Sequence, residues 1–248
     1  MNSLSRFGRG ALIVLGAGLL GAGCDVHDLV DHLGCCGGGC GREVTHSYDL
    51  SDFDELDCRA AFDVTVRPGG QHRVTVSVSE DIEDDLVVRR DGNRLRLDLD
   101  NGHACGERRA VIEMPALRRI EAHDVCRVRL EGPSSAGAVA LDLSAASSVE
   151  GDLSASAIAL RLSGASRADL AGATDQLDLD ASSASRADLG DLAARRAVVA
   201  LDGASWARVR VSEWLDVVAS GVSTLRYIGH PRLGRVELSG GSHLEPEE

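Results

Sequence analysis

Aromatic side chains are nearly missing from this 248-residue chain, at 3% of the total. Whatever core it has must be built from Leu, Val and Ala, which suits a narrow, layered body. Net basic charge is missing as well. The formal charge is −13, which argues against gripping nucleic acid through its phosphates. No Gly-x-Ser-x-Gly elbow with a placed histidine occurs, so a serine hydrolase is not indicated. No glycine loop ends in Lys-Ser or Lys-Thr, so there is no phosphate cradle of that type. The calcium-binding nonapeptide repeat of some solenoids is also absent. Apolar residues spaced three and four apart over ten or more positions, the mark of helical repeats, are not found.

What is present is a repeat. Cys126, Ser147, Ser166, Ser185, Ser205, Ser223 and Ser242 recur at steps of 18 to 21 residues. Around them the chain alternates at period two. Six residues upstream stand Ile120, Leu141, Leu160, Leu179, Val199, Val217 and Val236, and two downstream stand Val128, Val149, Ala168, Ala187, Ala207, Leu225 and Leu244. The columns between are charged or polar. Such alternation predicts strands with one buried and one wet face. Corners such as Ser163-Gly164-Ala165-Ser166 and Ser220-Gly221-Val222-Ser223 supply residues suited to tight bends. One such unit cannot bury its own apolar face, whereas stacked units can. The expected fold is all-β: a right-handed parallel β-helix-like solenoid of about seven rungs. The repeated serines share the inward parity, and their hydroxyls are expected to bond corner backbone or the next serine.

The chain divides into a leader at 1–23, a Cys- and Gly-rich tether at 24–46 and one solenoid domain at 47–248. Residues 47–116 form β-rich N-terminal strands that cap the stack, and 117–248 carry the repeats. Leu56 to Val66 matches the apolar parity of Ile120 to Leu130, so a rung or capping strand is expected there. Strands are expected near residues 73–79, 86–89, 95–99 and 110–114, with a hairpin turn at Asp91-Gly92-Asn93. In the leader, Arg6 and Arg9 precede the apolar Ala11 to Leu20, and Gly21, Ala22 and Gly23 precede Cys24. That is a secretory signal layout, and small residues before a cysteine resemble a lipobox. Cys24 is the expected lipid attachment site, which places the body in the bacterial cell envelope, periplasmic or at the surface.

In an exported protein cysteines can oxidise. Cys58 and Cys126 fall in neighbouring inward columns of neighbouring rungs, making them a plausible disulfide, with Cys105 as a competitor. The tether holds His27, His32, Cys35, Cys36 and Cys40, with His46 at its end. Their spacing fits no standard zinc pattern, so no metal site and no cofactor is assigned. The outward acids Glu150, Asp169 and Asp188 could bind calcium or act on a sugar. Interleaved arginines make an exposed salt-bridge ladder the simpler expectation. The acidic run Glu80 to Asp85 reads as a solvated turn. No catalytic residue is assigned. Trp206 is placed to stack on Arg186, and Trp206 with Arg208 is the candidate surface contact, with Trp214 and Arg210 nearby in sequence.

The corners, together with Leu225-Arg226-Tyr227-Ile228-Gly229-His230-Pro231 before a final Ser-Gly-Gly-Ser, resemble the bacterial head-GIN domain family, described as auto-transporter adhesins. The resemblance spans roughly Tyr48 to Leu244. It implies a β-solenoid body, export and frequent lipid anchoring, and it carries no catalytic residues. The expected function is a non-enzymatic, envelope-anchored binding surface for a glycan or an envelope protein. The alternatives are a regulatory accessory bound to an endogenous envelope protein, and a polysaccharide-acting β-helix enzyme.

Overall fold

The computed structural model describes residues 42–100, 106–132 and 134–248. Cys24, the tether residues His27, His32, Cys35, Cys36 and Cys40, and Cys105 lie outside them. The strands, in chain order, begin with β1 (Glu43–Tyr48), β2 (Glu55–Cys58), β3 (Asp63–Pro68) and β4 (Arg73–Ser79). After a short 3₁₀ turn at Glu80–Asp85 come β5 (Leu86–Asp91), β6 (Arg94–Leu99), β7 (Arg108–Met114), β8 (Arg119–Ala122) and β9 (Arg127–Leu130). The repeats give β10 (Ser134–Leu143), β11 (Ser148–Leu162), β12 (Arg167–Ala181), β13 (Arg186–Leu201) and β14 (Trp206–Ala219). The chain closes with β15 (Thr224–Ile228), β16 (Arg232–Leu238) and β17 (His243–Glu247).

These strands stack as a β-solenoid with two long faces. Face A runs β6–β2–β8–β10–β11–β12–β13–β14–β16, and face B runs β7–β3–β9–β11–β12–β13–β14–β15–β17, parallel throughout. The long strands β11 to β14 continue around the second bend, so each gives its first half to face B and its second half to face A. The register is the one the repeat sets. Leu141, Leu160, Leu179, Val199, Val217 and Val236 pair in turn, and all but the last are buried. The differing repeat lengths are absorbed as bulges at the second bend, for example between Leu189 and Arg196.

The N-terminal strands depart from simple sequence order. β2 and β3 form the coil beneath the first repeat, while the later β6 and β7 form another coil outside it. Antiparallel β5 closes onto β6, and β4 and then β1 onto β7. That cap covers Leu95, Leu97, Ala110 and Ile112, all buried, and protects what would be an open end. The boundary expected at residue 46 falls inside a strand, because β1 already begins at Glu43; residues 1–41 lie outside the described ones. Val44, His46 and Tyr48 alternate inward there, too brief a pattern to stand out beside the glycine-rich stretch.

The corners come in two forms. At Ala60-Ala61, Asp124-Val125 and Ala145-Ala146 both central residues have positive φ, the type I′ pattern. From Gly164 onward only the first does, at Gly164, Ser183, Gly203, Gly221 and Gly240, as in type II′. This difference reverses the central peptide. Val125 N–H donates upward to Ala145 O, whereas Ala184 N–H donates downward to Gly164 O. The serine hydroxyls follow suit. Those of Ser166, Ser185, Ser205, Ser223 and Ser242 each donate to the carbonyl three residues back, at 2.7 to 2.9 Å. In the Ser147 corner the backbone N–H of Ser147 takes that carbonyl instead. The Ser147 hydroxyl is left buried without a partner.

This predicts a split in a serine-to-alanine series. Ser205→Ala leaves a corner carbonyl short of a donor and should cost roughly 1 kcal/mol. Ser147→Ala removes an unpaired buried hydroxyl and should be neutral or mildly stabilising. Urea unfolding of both variants checks this, and equal losses at the two sites would remove the two-corner account.

Candidate functional site

Face B carries the charge ladder. Arg129, Glu150, Asp169, Asp188, Arg208, Arg226 and Glu245 lie side by side on successive strands. Arg129 grips Glu150 at 2.6 Å, Arg208 sits 3.5 Å from Asp188, and Arg226 meets Glu245 at 3.1 Å. The hydrogen bond to Glu150 raises the Arg129 pKa. That to Arg208 holds the Glu247 carboxyl below its usual range. Arginine therefore engages Glu150 and Asp188 directly, and a cation or a sugar oxygen would have to displace a guanidinium to reach either. The chain contains no lysine, so its strongly basic side chains are all arginine, whose planar fork suits such bridging between strands.

Trp206 stacks beneath Arg186, whose guanidinium carbon is 3.7 Å from the ring centroid. Its neighbour Arg208 is clamped by Glu247 at 2.6 to 3.1 Å. The two residues do sit together on face B, and both are engaged within the protein. Trp214 is not brought to them: it lies on face A. Arg210 turns to the second bend, where its Nε donates to Gly190 O at 2.7 Å.

Among the described residues one group has metal-ligand composition. Asp57, Glu121 and His123 place ligand atoms within 4.8 Å of one another. Asp57 already accepts from Arg59 at 3.0 Å, and Glu121 from Arg94 at 2.8 and 2.9 Å, with Arg119 at 3.5 Å. His123 Nδ1 bonds the Ser144 hydroxyl at 2.7 Å. These positive neighbours oppose a dication, and the group locks the first coils together.

Among the described residues, a concavity lies on face A, beside the second bend. It is a groove of about 870 Å³ that runs along the stack from Glu55 and Arg119 to Trp214 and Asp216. It crosses the strands from β2 to β14, roughly 30 Å at 4.8 Å per strand. Ala138, Ala140, Ala157 and Ala159 form a small-residue floor at one end. Further along, the equivalent columns become Gln176 and Asp178, then Arg196 and Val198, then Trp214 and Asp216. Gln176 and Asp178 are exposed and make no side-chain bond to any described residue. Arg196 reaches Glu213 only at 3.7 Å. Trp214 is half-buried, with the Arg232 guanidinium 5.1 Å from its ring. An amide, a carboxylate, a guanidinium and an indole thus follow one another along a trough of mixed polarity. Sequence reasoning missed this site because the columns that form it lie at the bulged bend, nine and seven residues before each serine. The switch from alanine to polar residues along those two columns was the available signal.

The comparisons with known proteins agree on the fold. The family model described as "Putative auto-transporter adhesin, head GIN domain" matches residues 52–231. A solved structure of a putative adhesin from Bacteroides fragilis is similar at TM-score 0.78 and 17% identity, covering 83% of this chain and 97% of that one. A putative lipid binding protein from Parabacteroides distasonis follows at 0.65 and 15%, with 85% and 98% covered. A putative adhesin from Parabacteroides merdae is similar at 0.59 and 14%, with 85% and 98% covered. No functionally curated protein matches the chain. With the family model covering most of its length and the same stacked body in these structures, the chain belongs to the head-GIN domain family of putative auto-transporter adhesins.

Proposed function

We propose that this protein is a non-enzymatic adhesin-type binding protein of the bacterial envelope. Its contact surface is the face A groove, its ligand an extended glycan, and its anchor a lipid on Cys24. The observation that carries the reading is the polar set Gln176, Asp178 and Arg196 that continues the alanine floor toward Trp214. Sugars present hydroxyls to side-chain amides, carboxylates and guanidinium groups and an apolar ring face to an indole, and a groove along the stack suits a linear chain. The competing catalytic column on face B has two of its three acids held by arginine, which favours binding over chemistry. The leader supports the anchor, because Gly21-Ala22-Gly23 precedes Cys24 behind a short apolar run.

A glycan array probed with the protein, followed by titration of any hit, tests the groove. Trp214→Ala and Asp178→Ala should each weaken binding at least about tenfold, ~1.4 kcal/mol, while Trp206→Ala should leave it unchanged. Loss through Trp206 alone, or a glycan cleaved by the wild type and spared by a Glu150→Ala, Asp169→Ala, Asp188→Ala variant, would replace this reading. In cells fed a clickable fatty acid, label should appear on the wild type and vanish in Cys24→Ala.

A further inference from the structure

The two ends of the solenoid are treated differently. At the first end antiparallel strands cover the outermost coil. At the other, β16 lies on the outside of face A, and every one of its residues is exposed. Leu233, Val236 and Leu238 continue inward columns whose earlier members are buried, yet they are 41%, 40% and 45% exposed. Val236 shows the contrast best, because Leu179, Val199 and Val217 in its column are at 0%, 1% and 0%.

The backbone of this edge is also open. Ser239 N–H donates to Ala219 O and Arg235 N–H to Asp216 Oδ1, both toward β14. By strand alternation the N–H and C=O groups of Val236 and Leu238 point away from the stack. Face B ends otherwise. His243 N–H donates back to Ser223 O, so alternation turns position 246 toward the open edge. That position is Pro246, which has no N–H to offer, and Glu245 and Glu247 flank it. Proline and charge are the usual devices that keep an edge from pairing. One edge is blocked and its neighbour is left ready.

We propose that β16 is a self-association edge, pairing antiparallel with β16 of a second copy about a two-fold axis at Val236. The charge pattern selects this occupant. With Val236 opposite Val236, Arg235 falls opposite Glu237 of the second copy, and Glu237 opposite Arg235, so both pairs are of opposite sign. These side chains are 63% and 56% exposed and already bond one another along the strand at 2.6 Å, so they need little reorganisation. Val236 and Leu238 of the two copies would then cover each other, extending the core across the junction. Such a contact uses the same patch twice and closes at a dimer. The capped first end prevents growth into a filament.

Sedimentation velocity of the purified full chain over roughly 1 to 100 μM, a range that brackets micromolar affinity, provides the test. A monomer–dimer equilibrium is expected. Val236→Pro removes an edge donor and should give monomer. Arg235→Glu sets like charges opposite each other and should raise the dimer dissociation constant at least about tenfold. The exchange Arg235→Glu with Glu237→Arg should restore it. These charged side chains are exposed, so this pair of variants carries the test should the proline variant unfold. Monomer at every concentration, open-ended polymers, or a dimer indifferent to the charge reversal would overturn the proposal.

Discussion

Replacing the crosslinked pair with the residues the repeat would otherwise use, Cys58→Ala with Cys126→Ser, should lower the stability of the first coils by about 4 kcal/mol. The disulfide joins residues 68 apart in sequence. Closing a loop of that length in the unfolded chain removes entropy worth about 4 kcal/mol in the chain-entropy model. Its position makes the loss hard to absorb elsewhere. It ties the coil of β2 and β3 to that of β8 and β9, and the corners it joins hold Ala60, Ala61, Asp124 and Val125 at positive φ. Such non-glycine residues cost on the order of 1 kcal/mol each. Beside them Phe62 fills the place of the repeat's serine and is fully buried. The bridge therefore offsets backbone strain at the junction between cap and repeats.

In a solenoid each coil contacts only its neighbours, so the loss should be local. Amide exchange should rise first in residues 55–66 and 119–130, while 167–219 stay protected. The melting temperature of the double variant should fall by about 10 °C, taking two to four degrees per kcal/mol at this size. A variant that melts with the wild type and keeps its exchange pattern would show the bridge to be dispensable.

Much of this junction could be read from residues alone, because an inward parity is a local property. Leu56, Cys58, Val64 and Val66 sit on the same columns as Ile120, Ala122, Val128 and Leu130, and they pair in that register. The stacking of Trp206 on Arg186 and the arginine ladder follow from the same alignment. Which coil lies next to which is not local. Leu95 and Leu97 have the same parity as Leu56 and Cys58, and nothing in the sequence says that β6 packs outside β2 and not after it. The corner types were also hidden. Ala145-Ala146 and Gly164-Ala165 differ by one methyl group, yet the peptide between them points in opposite directions. The groove was hidden for a third reason. Its walls depend on how bulges absorb repeats of unequal length, and that is settled by packing between coils. Outward residues at such a bend look like solvated surface until the third dimension puts Gln176 beside Arg196 and Arg196 beside Trp214.

Adding one methyl group at the bend, Gly172→Ala, should have an effect of similar size for a different reason. Gly172 has φ +124°, a conformation closed to residues with a side chain. A Cβ there would lie 2.2 Å from the carbonyl oxygen of Leu153 on the coil below. That oxygen belongs to a parallel ladder with neighbours on both sides, so it cannot retreat without opening the junction between β11 and β12. Strain and lost ladder bonds together should cost about 3 to 5 kcal/mol. Gly70→Ala is the matching control, because no atom lies within 4 Å of its added Cβ and its φ is ordinary. Unlike loss of the disulfide, this break falls mid-stack and severs nearest-neighbour coupling. Denaturant unfolding should separate into two transitions, one for the capped N-terminal coils and one for the coils from β12 onward. The groove spans that same junction, with Ala157 and Ala159 on one side and Gln176 and Asp178 on the other. Ligand binding should therefore fail at denaturant concentrations where each half is still folded. A single transition with binding intact up to its midpoint would mean that the bend yields more easily than its close contact implies.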